Sequence, residues 1–94
     1  MPVTPATILQ LNSDIRQTRL ADEGVILRQE EGEVLVVNDI AIRFIELIDG
    51  KRNMDELTGL LLREYEVEPD ILASDLAEYA CELLEQGVLT RAEA

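Results

Sequence analysis

Few residues in this sequence could perform catalysis. It contains no histidine, which removes the commonest general base, and only one cysteine, Cys81. Cys81 falls opposite Leu72 on a predicted helix, and no imidazole is present to activate its thiol, so we interpret it as inert. The adjacent carboxylates Glu30 and Glu31 indicate a solvated turn rather than an acid/base pair, because acidic residues are abundant throughout the chain. The sequence therefore predicts a protein that is not an enzyme and that uses no cofactor or metal.

The net charge of the protein excludes some classes of binding partner. Twenty acidic residues against eight basic ones give a formal net charge of -12 at pH 7, which repels the phosphate backbone of nucleic acids. A single cysteine cannot form an internal disulfide, which fits a reducing compartment. No stretch of the sequence is apolar for long enough to span a membrane. We therefore expect a cytoplasmic protein that binds neither nucleic acid nor membranes.

The first feature that suggests binding is a run of four apolar residues, Val34 to Val37. Together with Val25 to Leu27 and the polar turn around Glu31 and Gly32, this run predicts a β-hairpin. Side chains alternate between the two faces of a strand, so two of the four can pack against helices while the other two point away. Either a terminal segment of the same chain covers the second pair, or the strand lies at a sheet edge where a partner peptide adds another strand.

The second such feature is the predicted third helix, which runs from Pro69 to Gln86 and has an apolar stripe with an acidic border. Three residues of the stripe suffice to face the core: Leu76, Ala80 and Leu83. Leu72 and Tyr79 lie near the edge of the stripe, beside Asp75. A tyrosine at such an edge can bury its ring and offer its hydroxyl to water or to a partner. The alternative interpretation is that Leu72 and Tyr79 simply belong to the core.

Two more helices precede this one. The first begins at Asn38 or Asp39, either of which can cap a helix, and ends at Asp49–Gly50. The second begins near Asn53, and Glu56 follows three residues later as in a capping box. Both helices are predicted from their capping residues as well as from the helical spacing of their apolar residues.

These elements indicate a single domain of the α+β class, a small winged-helix-like unit in which a three-stranded antiparallel sheet is followed by three helices. We expect this domain to cover residues 14–90. A flexible amino-terminal segment is expected at residues 1–13 and a short tail at residues 91–94.

Three segments, in this order and spacing, carry a resemblance to a known family: "GVILRQEEGEVLVVND", "ELIDGKRNMDELTGLLLREYEVE" and "ASDLAEYACELLEQGVL". Over about Asp14 to Leu89 the chain resembles the PqqD family, the recognition domains for ribosomally made peptides that are later modified. The resemblance implies a non-catalytic domain of three strands and three helices. Such a domain binds the leader region of a precursor peptide as an added strand on its third strand, in a groove completed by the third helix.

The resemblance also implies partners and a set of site residues. The partners are the precursor peptide and a modifying enzyme, which is a radical SAM protein (PqqE-like) in the pathway to pyrroloquinoline quinone or a leader peptidase in related pathways such as those of lasso peptides. The peptide-binding residues implied for this sequence are Val34, Leu35, Val36, Val37, Leu72, Asp75, Leu76, Tyr79 and Leu83.

Two other interpretations are weighed against peptide binding. A winged-helix DNA-binding regulator has a similar order of elements, but the predicted third helix carries four carboxylates after residue 74 and no Lys or Arg. Self-association through the exposed strand would produce a homodimer, and this is compatible with peptide binding.

Overall fold

The computed structural model of the protein describes residues 2–92 and contains five strands and three helices in that part of the chain. In chain order these elements are β1 (Leu9–Leu11), β2 (Ile15–Leu20), β3 (Glu23–Arg28), β4 (Glu33–Asn38), α1 (Asp39–Leu47), α2 (Met54–Glu64), α3 (Pro69–Glu85) and β5 (Leu89–Arg91). The predicted α+β class is confirmed, with a three-stranded antiparallel sheet followed by three helices. None of the helices in this described range is long and apolar enough to cross a membrane.

The main sheet has the strand order β2-β3-β4, so β3 is central and β4 lies at an edge. Both connections are hairpins. The turn between β3 and β4 uses Gly32 with φ of 64°, a left-handed conformation that glycine adopts without strain. In the resulting register Val25 is opposite Val36 and Leu27 is opposite Val34.

The helices begin where the sequence places their caps. The Asn38 side chain accepts a hydrogen bond from the Ala41 amide (2.9 Å) at the start of α1. At the start of α2, Asn53 and Glu56 exchange side-chain to backbone bonds of 3.0 and 2.9 Å, which is the predicted capping box. Pro69 is the first residue of α3, a position that needs no backbone N–H donor.

A single core lies between the main sheet and the helices. Its largest fully buried side chains come from strands and helices alike: Phe44, Leu9, Ile26, Ile42, Ile45, Leu57, Leu61, Leu89 and Val88. Helix α1 approaches the sheet most closely at Gly24 of β3. A Cβ atom at residue 24 would lie only 2.3 Å from Cβ of Ile42. The absence of a side chain at Gly24 therefore allows α1 to pack over the central strand.

A second, two-stranded sheet joins the two ends of the described part of the chain. Strand β1 pairs antiparallel with β5, with Leu9 opposite Arg91, and Leu9 has no exposed surface. Strand β1 lies within the segment 1–13, and its Leu9 packs into the core, as does Leu89 of β5. Local sequence patterns do not reveal pairing between segments so distant in the chain. Residues 93 and 94 lie outside the described part.

The close approach at Gly24 yields a test with a matched control. Gly24→Ala should lower the free energy of unfolding by about 1–3 kcal/mol, because the added methyl group overpacks against Ile42. Gly59→Ala, within α2, should raise it by roughly 0.5–1 kcal/mol, since a Cβ there meets nothing within 4 Å and alanine favours the helix. Urea denaturation measures both. Equal effects of the two substitutions would contradict the packing described.

Candidate functional site

Strand β4 is covered on one face only. Leu35 and Val37 are half-buried and pack against the core, whereas Val34 and Val36 are 58% and 67% exposed. The predicted division of the four residues into two pairs is confirmed. The interpretation that the chain's own terminal segments cover the second pair is wrong, because β1 and β5 pair with each other in a separate sheet. Among the described strands, β4 pairs with β3 alone, so its other edge is open.

A groove lies beside the end of this strand, between the start of α1 and one flank of α3. The cavity has a volume of about 300 Å³. Leu72 and Leu76 of α3, which are 5% and 3% exposed, form its floor, and Ile71, which is 60% exposed, stands at its rim. The residues that line this groove are Asn38, Ile40, Ala41, Val67, Ile71, Leu72, Asp75, Leu76 and Tyr79.

The structure brings together four of the five helix residues proposed from the sequence. Leu72, Asp75, Leu76 and Tyr79 all line the groove. Leu83 does not: it is 2% exposed and belongs to the core, because it lies on the side of α3 that faces the rest of the protein. The four β4 residues from 34 to 37 do not line the cavity either. The strand reaches the groove at its last residue, Asn38.

Five residues of the groove were not proposed from the sequence. Those on α1 and at the end of β4 were missed because their residue types are ordinary for a cap and a first turn. Two others had a detectable signal: Val67 and Ile71 are apolar residues in an otherwise acidic segment, and Ile71 falls outside the core-facing stripe of its helix. An exposed apolar residue beside the stripe of an amphipathic helix is a sign of a binding surface when others adjoin it.

Tyr79 connects the groove to the core. Its ring meets that of Phe44 at a centroid distance of 6.3 Å and an interplanar angle of 51°, a tilted arrangement favourable for aromatic pairs. The Tyr79 hydroxyl is buried and has no hydrogen-bond partner within the described residues. Burial, and after it the negative charge of Glu82, raises the pKa of Tyr79 above its ordinary value. The neutral phenol is therefore the form that this site retains.

The start of α1, which forms one end of the groove, is held in place by polar contacts. Arg19 of β2 bonds to Asp39 at 2.7 Å and to Glu46 at 3.0 Å. The hydrogen bond from Arg19 holds the pKa of Asp39 below its usual value. Burial, and then a hydrogen bond to Asp39, raises the pKa of Tyr65. The ion pairs of Arg19 tie α1 to β2 of the main sheet, although each exposed ion pair adds little to stability.

Comparison with known proteins identifies the family to which this architecture belongs. The family model described as "Coenzyme PQQ synthesis protein D (PqqD)" matches residues 23–89, which include the hairpin of β3 and β4 and all three helices. The chain belongs to the PqqD family. A relative from Methylococcus capsulatus named "PqqA binding protein" is 31% identical over 75 residues, which cover 76% of this PqqD-family chain and 80% of that protein.

Two solved structures have a similar fold. TbiB1 in complex with the TbiA(beta) leader peptide is similar with a TM-score of 0.75 at 19% identity, over 85% of this chain and 93% of that one. Lasso peptide synthetase B1 complexed with its leader peptide is similar with a TM-score of 0.74 at 24% identity, over 87% of this chain and 96% of that one. The PqqD-family chain therefore shares the fold of both proteins.

The environment of Tyr79 predicts how stability changes with pH. Because the pKa of Tyr79 is raised in the folded protein, the unfolded state loses its proton first, so stability should fall as the pH rises above about 10. Tyr79→Phe should reduce the size of this fall. At pH 7 it should leave the free energy of unfolding unchanged or raise it by up to about 1 kcal/mol, since it removes a buried hydroxyl without a partner.

Tyr65→Phe is the matched control, because the hydroxyl of Tyr65 has a partner in Asp39. This substitution should lower the free energy of unfolding at pH 7. Urea denaturation from pH 7 to pH 11 measures all three proteins. A loss at pH 7 in Tyr79→Phe as large as that in Tyr65→Phe would mean that the Tyr79 hydroxyl makes a stabilising hydrogen bond.

Proposed function

We propose that this protein is a non-catalytic peptide-binding domain. It binds the leader region of a ribosomally made precursor peptide as an additional strand on β4 and presents that peptide to a modifying enzyme. The observation that carries the proposal is the open edge of β4 beside an apolar groove on α3. Membership of the PqqD family supports it.

Backbone hydrogen bonds supply the first part of the binding energy. In an antiparallel sheet every second residue of an edge strand directs its N–H and C=O groups away from its partner strand. On β4 these groups point to the side on which the described chain has no further strand. An extended peptide satisfies them without any demand on its sequence. This mode of binding is β-augmentation.

The side chains of the peptide supply the second part of the binding energy and the selectivity for particular sequences. Alternate side chains of an added strand point to the same face, so one set enters the groove over Leu72 and Leu76. Each apolar anchor buried there contributes about 1.5–3 kcal/mol before the cost of ordering the peptide, and two or three anchors give roughly micromolar affinity. The other set of side chains lies next to Val34 and Val36, which are exposed. Those two valines act as cross-strand neighbours.

The proposed contact residues on α3 are Leu72, Asp75, Leu76 and Tyr79, joined by Ile71. Leu83 acts indirectly, by holding α3 against the core from its buried side. Residues 34–37 contribute through their backbone and through the outward valines. No histidine is available to the chain as a catalytic base, which supports a role in presentation rather than in catalysis.

The names of similar proteins support a precursor peptide as the partner. The Methylococcus relative is named for binding PqqA, and the two solved structures contain leader peptides. The modifying enzyme is then a radical SAM protein if the pathway leads to pyrroloquinoline quinone, or a leader peptidase if it leads to a lasso peptide. The alternative of DNA binding has no support from α3, which contains five carboxylates and no Lys or Arg between residues 70 and 85.

Exposed residues at the groove allow a binding test that spares the core. Ile71→Asp should weaken binding of a leader peptide by about ten- to a hundredfold, because it places a charge where an apolar anchor packs. Leu20→Asp is the matched control. Leu20 is 55% exposed, close to the 60% of Ile71, but it lies on β2 at the opposite edge of the sheet.

Synthetic PqqA and the TbiA(beta) leader peptide are suitable probes, titrated by calorimetry against the parent and both variants. The proposal requires that at least one of them binds the parent and that only Ile71→Asp is impaired. If Leu20→Asp impairs binding equally, or if Ile71→Asp has no effect on a peptide that binds, the groove is not the site.

Amide hydrogen exchange tests strand addition directly. A bound peptide should slow exchange at alternate residues between 33 and 38, because only those amides face the open edge. The amides of β2 at the other edge should not change. Protection of β4 that grows with protein concentration in the absence of peptide would instead identify a homodimer formed through the same strand. Peptide binding with no protection in β4 would exclude strand addition.

A further inference from the structure

The groove has an acidic side, and we infer that the segment it binds is a basic one: an apolar strand that carries Lys or Arg residues to pair with Asp75 and Glu82. This inference rests on the proposed function and adds the chemistry of the recognised segment. The carboxylates concerned belong to the flank of α3 that faces the groove, and the following observations support their role.

The first observation is the arrangement of charge around the cavity. Asp75 is the one charged residue among those that line it, and its side chain is exposed. Glu82 follows seven residues later, which is about two helical turns or roughly 10.5 Å along the axis, so it lies on the same flank of α3. Tyr79 stands between them. Glu82 does not itself line the cavity, but its exposed side chain lies beyond Tyr79 on the flank that carries Asp75.

The second observation is that basic residues do not offset this charge. Neither Asp75 nor Glu82 takes part in any of the ion pairs identified between residues 2 and 92, whereas Glu64 is paired with Arg43. The sequence between Arg63 and Arg91 contains no Lys or Arg. The carboxylates in that interval are Glu64, Glu66, Glu68, Asp70, Asp75, Glu78, Glu82 and Glu85.

The third observation is the contrast with the opposite flank of α3. There Ala73 and Ala77 line a small cavity together with Val3 and Pro5 from the amino-terminal segment. That cavity borders the chain's own amino-terminal segment and has one charged residue, Asp55, in its lining, whereas no residue that lines the groove comes from a terminal segment. Asp75 lies on the other side of α3, in the lining of the groove, and Glu82 shares that flank by helical spacing.

These observations select one class of peptide. An acidic segment in the groove would meet uncompensated negative charge, whereas a Lys or Arg adjacent to its apolar anchors gains a partner. The long apolar stem of either residue can lie along the groove wall while its charged group reaches a carboxylate. Each pairing is partly exposed, so its effect should be modest and should decline with salt.

The experiment uses PqqA and the TbiA(beta) leader peptide as starting probes. Each position of a peptide that binds is replaced in turn by Lys, Gln and Glu, and affinities are measured at low and high salt. At two or more positions Lys should bind about two- to fivefold more tightly than Gln at low salt, and Glu correspondingly less tightly. The preference should shrink at high salt.

Two protein variants test whether Asp75 and Glu82 cause the preference for Lys. The groove variant, Asp75→Asn with Glu82→Gln, should lose the preference for Lys over Glu. The control variant, Glu30→Gln with Asp55→Asn, removes the same amount of negative charge from exposed residues in the β3–β4 turn and at the start of α2. It should keep the preference, because its charges lie away from the groove.

The outcomes separate the inference from the proposed function. If a peptide binds and Ile71→Asp weakens it, but Lys, Gln and Glu are equivalent at every position, the inference is overturned while the proposed function stands. If both variants lose the preference equally, the net charge of the protein is responsible and the inference is also overturned. If neither peptide binds the parent protein, the proposed function fails and the inference fails with it.

Discussion

The groove depends on how α1 packs against the main sheet. Because Gly24 has no side chain, Ile42 sits directly over β3 and α1 covers the middle of the sheet. Helix α3 makes its broad contacts with α2 and β5 instead, to one side of α1. The groove is the space left between α3, the start of α1 and the end of β4. A local feature of one strand thus helps to set the position of the groove.

An open strand edge is a hazard, because two copies of a protein can pair through it. Here the edge strand also exposes Val34 and Val36 on its outer face. The net charge of -12 opposes contact between copies, and Glu30, Glu31 and Glu33 lie at the start of the strand and in its turn. Under the proposed function, Asp75 and Glu82 at the groove would favour a basic peptide, whereas the net charge opposes self-pairing.

The core and the groove are not independent. Leu72 and Leu76 are nearly inaccessible, yet they form the floor of the cavity, and the ring of Tyr79 packs on Phe44. Changes to the floor therefore alter packing as well as recognition, whereas the rim can vary at little cost to stability.

Much of the fold could be predicted from the sequence because its signals are local. The caps at Asn38 and Asn53, the turn at Gly32 and the helical spacing of apolar residues each act over a few positions. The alternation along β4 likewise indicated that two of its four apolar residues would point away from the helices. Four of the five proposed helix residues were found together for the same reason, since one helix presents them on one side.

The tertiary structure decided what those local signals could not. Pairing of β1 with β5 joins segments separated by most of the chain, and only in the folded protein do Asn38 and Ile71 border one cavity. Whether Leu83 faces the groove or the core depends on how far α3 is rotated about its axis, which its packing against α2 and β5 sets. Sequence periodicity defines the faces of a helix, but the contacts between elements determine which face is buried and which is left open.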